Sequence, residues 1–213
     1  IDFVTIQSLG NTNDFGDLSA QKFGMAACSN PTRGLYMGGA ISGTENDTAN
    51  QRVNIDFVTI ASTGDAQDFG DLSEKRSQAG AGSNSIRGIV FGGRYAPTQT
   101  LIDSVNIATL GNTTSFGTLS RSESRDGGAM ASSTRAAHAG GDNLFPSTVN
   151  PVNTIEYVEI ATQGNAVDFG DLTAARIASA ASNNTRGVIA GGYIQPSGPV
   201  SNIIDFITIA TTG

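Results

Sequence analysis

Residues 55–93 read IDFVTIASTGDAQDFGDLSEKRSQAGAGSNSIRGIVFGG, and this stretch decides the fold because it recurs. Its opening hexad returns as IDFVTI at Ile1, IDSVNI at Ile102, IEYVEI at Ile155 and IDFITI at Ile204. The period is about fifty residues, a length that belongs to stacked arrays and propellers. We read the chain as one repeat-built β domain over 1–213. Its repeats are 1–54, 55–101, 102–154 and 155–203, with 204–213 opening another.

Each unit carries four short segments. The hexad is β-branched and aromatic, with apolar groups at both alternating sets of positions, which predicts a strand covered on both sides. A glycine turn leads to DFGDL at Asp14–Leu18, Asp68–Leu72 and Asp168–Leu172, degraded to SFGTL at Ser115–Leu119. One phenylalanine per copy (Phe15, Phe69, Phe116, Phe169) suits an anchor between sheets, and the glycine after it suggests a bulge or a close backbone approach. A third segment of Gly, Ala and Ser fits a strand near a crowded axis, each time preceded by Lys22, Arg76, Arg125 or Arg176. The fourth opens on a turn with Arg33, Arg87, Arg135 or Arg186 and ends in a glycine pair.

Composition excludes several classes. There are 27 Gly and no Trp, and only 15% of residues are charged, which is poor helix material. Lys plus Arg total 12 against 19 Asp plus Glu, a formal charge of −7, opposite to a nucleic-acid footprint. No apolar run is long enough to insert in a membrane as a helix. Cys28 is the sole cysteine and reads as a buried small residue; His138 is the sole histidine, so no His cluster for zinc can form. No loop gathers the oxygens that Ca²⁺ takes. The expectation is therefore no cofactor, no metal and no catalytic residue.

The pairs Gly38-Gly39, Gly92-Gly93, Gly140-Gly141 and Gly191-Gly192, with a basic residue before the small-residue strand, resemble the kelch motif. Phenylalanine stands where kelch repeats usually carry Trp, and their Tyr after the third strand is missing. The resemblance implies an all-β propeller of four-stranded blades, about four of them or a segment of a larger ring. It places three intact blades at Lys22–Leu72, Arg76–Leu119 and Arg125–Leu172, and a split one from Arg176–Gly192 that Ile1–Leu18 could complete. The run IDFVTI…DFGDL…SN…RG…GG also resembles repeats in tail-fibre and other virion proteins of marine bacterial viruses. That implies a virion or extracellular location, a section of a longer protein, and partners that are host surface glycans or proteins and other virion subunits, including copies of itself.

Residues present in every unit read as scaffold. The turn arginines are expected to bind backbone carbonyls or DFGDL aspartates, and those aspartates to cap turns or pair with Arg76 or Arg176. The connections after each glycine pair vary, leave the same strand end, and should share one rim, where binding usually sits. They offer Tyr95, Phe145 and Tyr193 as flat apolar groups, and Asn46, Asp47, Arg94, Asp142, Asn143 and Gln195 as hydrogen-bonding groups. The expected function is non-enzymatic attachment through these loops. The alternatives are a structural filament or decoration subunit and, behind both, a glycan-active enzyme.

Overall fold

The computed structural model describes residues 1–41, 49–94, 100–121, 126–142, 150–194 and 200–211. It is all-β: four small antiparallel sheets stand side by side as the blades of a four-bladed β-propeller arrangement, with an additional strand pair before them. That pair is β1 (Asp2–Phe3) and β2 (Asn13–Asp14). The first blade comprises β3 (Ala26–Ser29), β4 (Arg33–Met37), β5 (Asn54–Thr59) and β6 (Gln67–Asp71). The second comprises β7 (Gly80–Ser83), β8 (Arg87–Phe91), β9 (Leu101–Asn106) and β10 (Thr114–Thr118). The third comprises β11 (Gly128–Ala131), β12 (Arg135–Ala139), β13 (Thr154–Glu159) and β14 (Val167–Asp171). The last has β15 (Ile177–Ser182), β16 (Arg186–Tyr193) and β17 (Ile204–Thr208). Here the split-blade expectation is replaced: β16 pairs with β17, while β1 and β2 pair only with each other.

Strands pair in chain order within each blade, so the small-residue strands β3, β7, β11 and β15 form an adjacent inner row. Crowding explains their composition. A Cβ added at Gly80 would lie 3.0 Å from the Ala129 Cβ, and one at Gly128 would lie 2.7 Å from the Ala180 Cβ. Farther out the blades pack face to face. Leu35, Ile55, Phe57 and Phe69 of the first blade meet Val90, Val105 and Ile107 of the second. The same layering joins Phe91, Ile102 and Phe116 to Val158 and Ile160, and Ile155 and Phe169 to Ile189 and Ile209. The hexad's two apolar faces therefore serve two different interfaces. All four DFGDL-type phenylalanines are buried.

The glycine of DFGDL both sits at a bulge and lies against its neighbour. The ladder shifts register between Ile55 and Asp56, opposite Phe69, and a Cβ on Gly70 would come within 2.5 Å of the Gly111 carbonyl carbon. At that contact the next blade's turn closes the outer strand's free edge. Gly111 N donates to Phe69 O at 2.9 Å, Asp71 N to Asn112 Oδ1 at 3.0 Å, and Thr113 N to Asp71 O at 2.8 Å. The bonds recur at Phe15–Gly64 and Phe116–Gly164, so each of these edges is paired rather than left as a template for aggregation.

A buried ion pair holds each blade from within, and its acid is not the expected one. The partner of the basic residue is the second residue of the hexad, not a DFGDL aspartate: Lys22–Asp56 2.8 Å, Arg76–Asp103 2.8 Å and Arg176–Asp205 2.9 Å. The hydroxyls of Ser19, Ser73 and Thr173 donate to the same carboxylates. In the third blade the expected Arg125 lies outside the described residues. There Arg121 delivers the guanidinium to the longer Glu156 at 3.0 Å and donates to Gly140 O at 3.0 Å. This matches the bond from Arg76 to Gly92 O in the second blade. Its other nitrogen donates to Nδ1 of His138, 3.1 Å away, whose ring packs on Phe91. Burial first, and the Arg121 charge second, lower the His138 pKa to about 3.

Removing one partner leaves an uncompensated buried charge, so Asp103→Ala should cost about 3–5 kcal/mol in urea unfolding. Adding Arg76→Met should recover most of that loss; a single-variant cost within error of zero would contradict the pair's role. His138 stays neutral in the folded chain, whereas in the unfolded chain it binds a proton below its ordinary pKa of about 6.5. Stability should therefore fall as pH drops from 6.5 toward 5, with a slope approaching about 1.4 kcal/mol per pH unit. His138→Asn should flatten this window, and parallel profiles for the two proteins would refute the assignment.

Candidate functional site

Each strand hairpin reverses at one of two ends of the blade row, and an opening lies on the axis at each end. One, about 530 Å³, is lined by the turns after the inner strands, including Asn30, Asn84, Ser132 and Asn183. The other, about 500 Å³, lies at the glycine-pair end, lined by Gly24, Gln78, Asp126, Ser179 and Gly192 among others. Ala81 and Ala129 line both, so the two mouths open along the same inner strands.

The polar ring at the first mouth is committed to the backbone. Asn84 Oδ1 accepts from Ile86 N and Arg87 N at 2.9 and 2.8 Å, and Nδ2 donates to Ser133 O of the next blade at 3.0 Å. Asn30, Ser132 and Asn183 close their turns in the same way. These side chains exist to make a tight turn, and the sequence pattern SN or SS ahead of Arg encodes it.

Three of the turn arginines bind backbone carbonyls of the next blade. Arg33 Nη1 donates to Ile107 O at 3.0 Å, Arg87 Nη1 to Ile160 O at 2.6 Å, and Arg135 Nη1 to Ala210 O at 3.0 Å. Each thus reaches from one blade to the third strand of the next. Their guanidinium groups also lie over Phe57, Phe116 and Tyr157, and Arg186 lies over Phe206 at 4.7 Å. Cys28 is packed between blades, hydrogen-bonded to Ser83, and burial pushes its thiol pKa up to about 12. Its Sγ packs against Gly88 of the next blade, and this environment disfavours the thiolate.

The variable connections leave the blades at the glycine-pair end. Their stems are pinned by bridges, Ala40 to Gln51, Asp142 to Pro151 and Tyr193 to Val200, while Arg94 bridges Ser77. Of the residues expected to bind, Asn46, Asp47, Tyr95, Asn143, Phe145 and Gln195 lie outside the described residues. Tyr193 is half-buried at the end of β16, and Arg94 is half-buried directly after the glycine pair of the second blade. Asp142 is fully buried, and its Oδ1 accepts from Asn150 N at 2.5 Å, which ties the base of its loop.

Sequence reading missed two lining groups. Gln78 and Asp126 both adopt left-handed backbone (φ 56° and 55°) at the position held by Gly24 in the first blade. Asp126 N donates to Gln78 O, and Gln78 N to Gly24 O, linking the three blades around the mouth. The signal was present: glycine in one copy and Gln or Asp in the others marks positive φ. The last blade is one residue shorter between Arg176 and Arg186 than the second between Arg76 and Arg87. Its strand β15 runs on to pair Ile177 with Tyr193.

No family model matches the chain, and no curated protein matches it. Among solved structures the chain is similar to one titled "Structure of YjhT", at 11% identity and a TM-score of 0.70. The likeness covers 87% of this chain and 65% of that one, so the chain spans somewhat less than two thirds of its length. At that identity the likeness establishes the fold, and the chain has a β-propeller arrangement.

Proposed function

We propose that this chain is a non-enzymatic attachment module of kelch-like blades, part of a phage tail fibre or related virion appendage. In this reading the rim at the glycine-pair end recognises a host surface glycan or protein. One observation carries it: the repeated polar side chains are absorbed by the scaffold, while sequence differences collect in connections that leave one end. Arg33, Arg87 and Arg135 are spent on neighbouring carbonyls, and Lys22, Arg76, Arg121 and Arg176 on buried acids. Stems fixed by backbone bridges allow loop tips to change without disturbing the core. The left-handed glycine pairs support the kelch-like part: Gly39 N and Gly141 N donate to the carbonyls of Arg76 and Arg176 in the following blade. Tyr193 and Arg94 at the rim suit stacking and hydrogen bonding to sugar or protein.

A structural role in an assembly is the second reading, favoured by the apolar surface at Ile204 and Phe206 on the last blade. An enzymatic reading draws no support from the lone histidine, which is buried and tied to Arg121.

Replacing residues 143–149 with a Gly/Ser linker of equal length should abolish or sharply weaken binding to a panel of immobilised bacterial surface polysaccharides and whole host cells. Unfolding should shift by no more than about 0.5 kcal/mol, as for other surface changes. Unchanged binding after such replacement of each variable loop in turn would exclude rim recognition.

A further inference from the structure

The opening at the glycine-pair end, about 500 Å³, is lined by two side chains that the backbone holds at a cost. Among the described residues, Gln78 and Asp126 alone have left-handed φ without being glycine, 56° and 55°. The fold does not require a side chain there, because Gly24 takes the same conformation in the first blade at φ 64°. The bonding does not require one either. Gln78 N donates to Gly24 O at 2.6 Å and Asp126 N to Gln78 O at 2.9 Å, backbone contacts that glycine makes equally well. Strain kept where glycine removes it points to a role for the side chains themselves.

Variation adds a second argument. The polar residues that the scaffold absorbs recur from blade to blade, whereas this position reads Gly24, Gln78 and Asp126 in three successive blades. The last blade omits a residue there, since Ile177 pairs with Tyr193 where Ser77 pairs with Arg94. A Cβ on Gly24 would lie 3.4 Å from Gln78 Cγ, so glycine in the first blade leaves room beside the Gln78 side chain. Gln78 and Asp126 lead into β7 and β11, inner strands flanked on both sides by β3 and β15 of this chain. Their juxtaposition is therefore independent of what precedes Ile1 or follows Gly213.

The lining combines hydroxyl-binding groups with apolar surface. Asp126 brings a carboxylate that accepts from two adjacent hydroxyls, Gln78 an amide that both donates and accepts, and Ser179 an exposed hydroxyl. Met25, Ala79 and Ile177 supply apolar contact beside them. We propose that this opening binds a single sugar ring, with Asp126 and Gln78 taking a pair of its neighbouring hydroxyls. The assignment rests on the reading of the glycine-pair end as the recognising end. It narrows the ligand there to a glycan, and it gives the scaffold as well as the loops a share in binding.

NMR titration of the 213-residue chain with D-glucose, D-galactose, D-mannose and N-acetyl-D-glucosamine tests this. At least one sugar should bind. Asp126→Gly should weaken it about tenfold or more and Gln78→Gly about threefold or more, the losses expected for hydrogen bonds to a charged and a neutral group. Both variants should melt no lower than the native chain, because glycine relieves the left-handed backbone. Asp126→Asn keeps the side-chain volume and should weaken binding too, which covers a glycine variant that fails to fold. The chain with residues 143–149 replaced by the Gly/Ser linker should bind the same sugar as the native chain does. The proposal is overturned if none of the four sugars binds the native chain, or if binding is unchanged in the Gln78 and Asp126 variants. Polysaccharide binding that survives replacement of every loop, with sugar binding still lost in Asp126→Asn, sinks rim recognition and supports the opening as the site.

Discussion

The structure depends on a charge brought out of water inside every blade. A lysine or arginine from the connection ahead of the inner strand reaches the acid at the second hexad position, at 2.8–3.0 Å. Burying such a pair costs several kcal/mol per ion unless further hydrogen bonds satisfy it. Here they do. A Ser or Thr hydroxyl shares the carboxylate in three blades, and in the second the remaining guanidinium hydrogens go to the carbonyls of Gly92 and Leu101. The pair therefore joins the connection, the third strand and the end of the second strand at one point.

The third blade shows that position in space is constrained more tightly than position in sequence. Its cation comes from Arg121, before the residues that would align with Arg76, yet it reaches the equivalent carbonyl. Glutamate replaces aspartate to span the altered distance, and His138 accepts the remaining donor. These changes compensate one another: with Asp at position 156 or an apolar residue at 138, the Arg121 head would lose one of its acceptors.

From those anchored blades the larger arrangement follows by packing. Inner strands approach so closely that Gly, Ala and Ser make up most of them, whereas the outer faces are separated enough to need Phe, Ile, Leu and Val. Backbone bonds from each turn to the previous outer strand, with the turn arginines, fix how one blade sits on the next. Rigid interfaces at the core and outer edge leave the connections after the glycine pairs as the places where sequence changes cost least.

By itself, the sequence determined the strands, their repeat, the all-β propeller arrangement, the crowded inner row and the phenylalanine anchors. Those properties are periodic and local: a fifty-residue period, alternation within a hexad and small side chains in one segment are visible without contacts. Only the tertiary structure decided which acid meets which base, since DFGDL and hexad aspartates look equivalent in sequence and differ in the face they present. It also decided that β17, not β1, completes the pairing of β16, because the two hexads are nearly identical and only spatial proximity separates them. The same holds at the candidate site. Asp142 is buried, a property the linear pattern of its loop does not show, and Gln78 and Asp126 become mouth-lining residues only where left-handed backbone sets them beside one another at the position of Gly24. A side chain's direction depends on its neighbours in space, and that part of the fold the linear pattern does not carry.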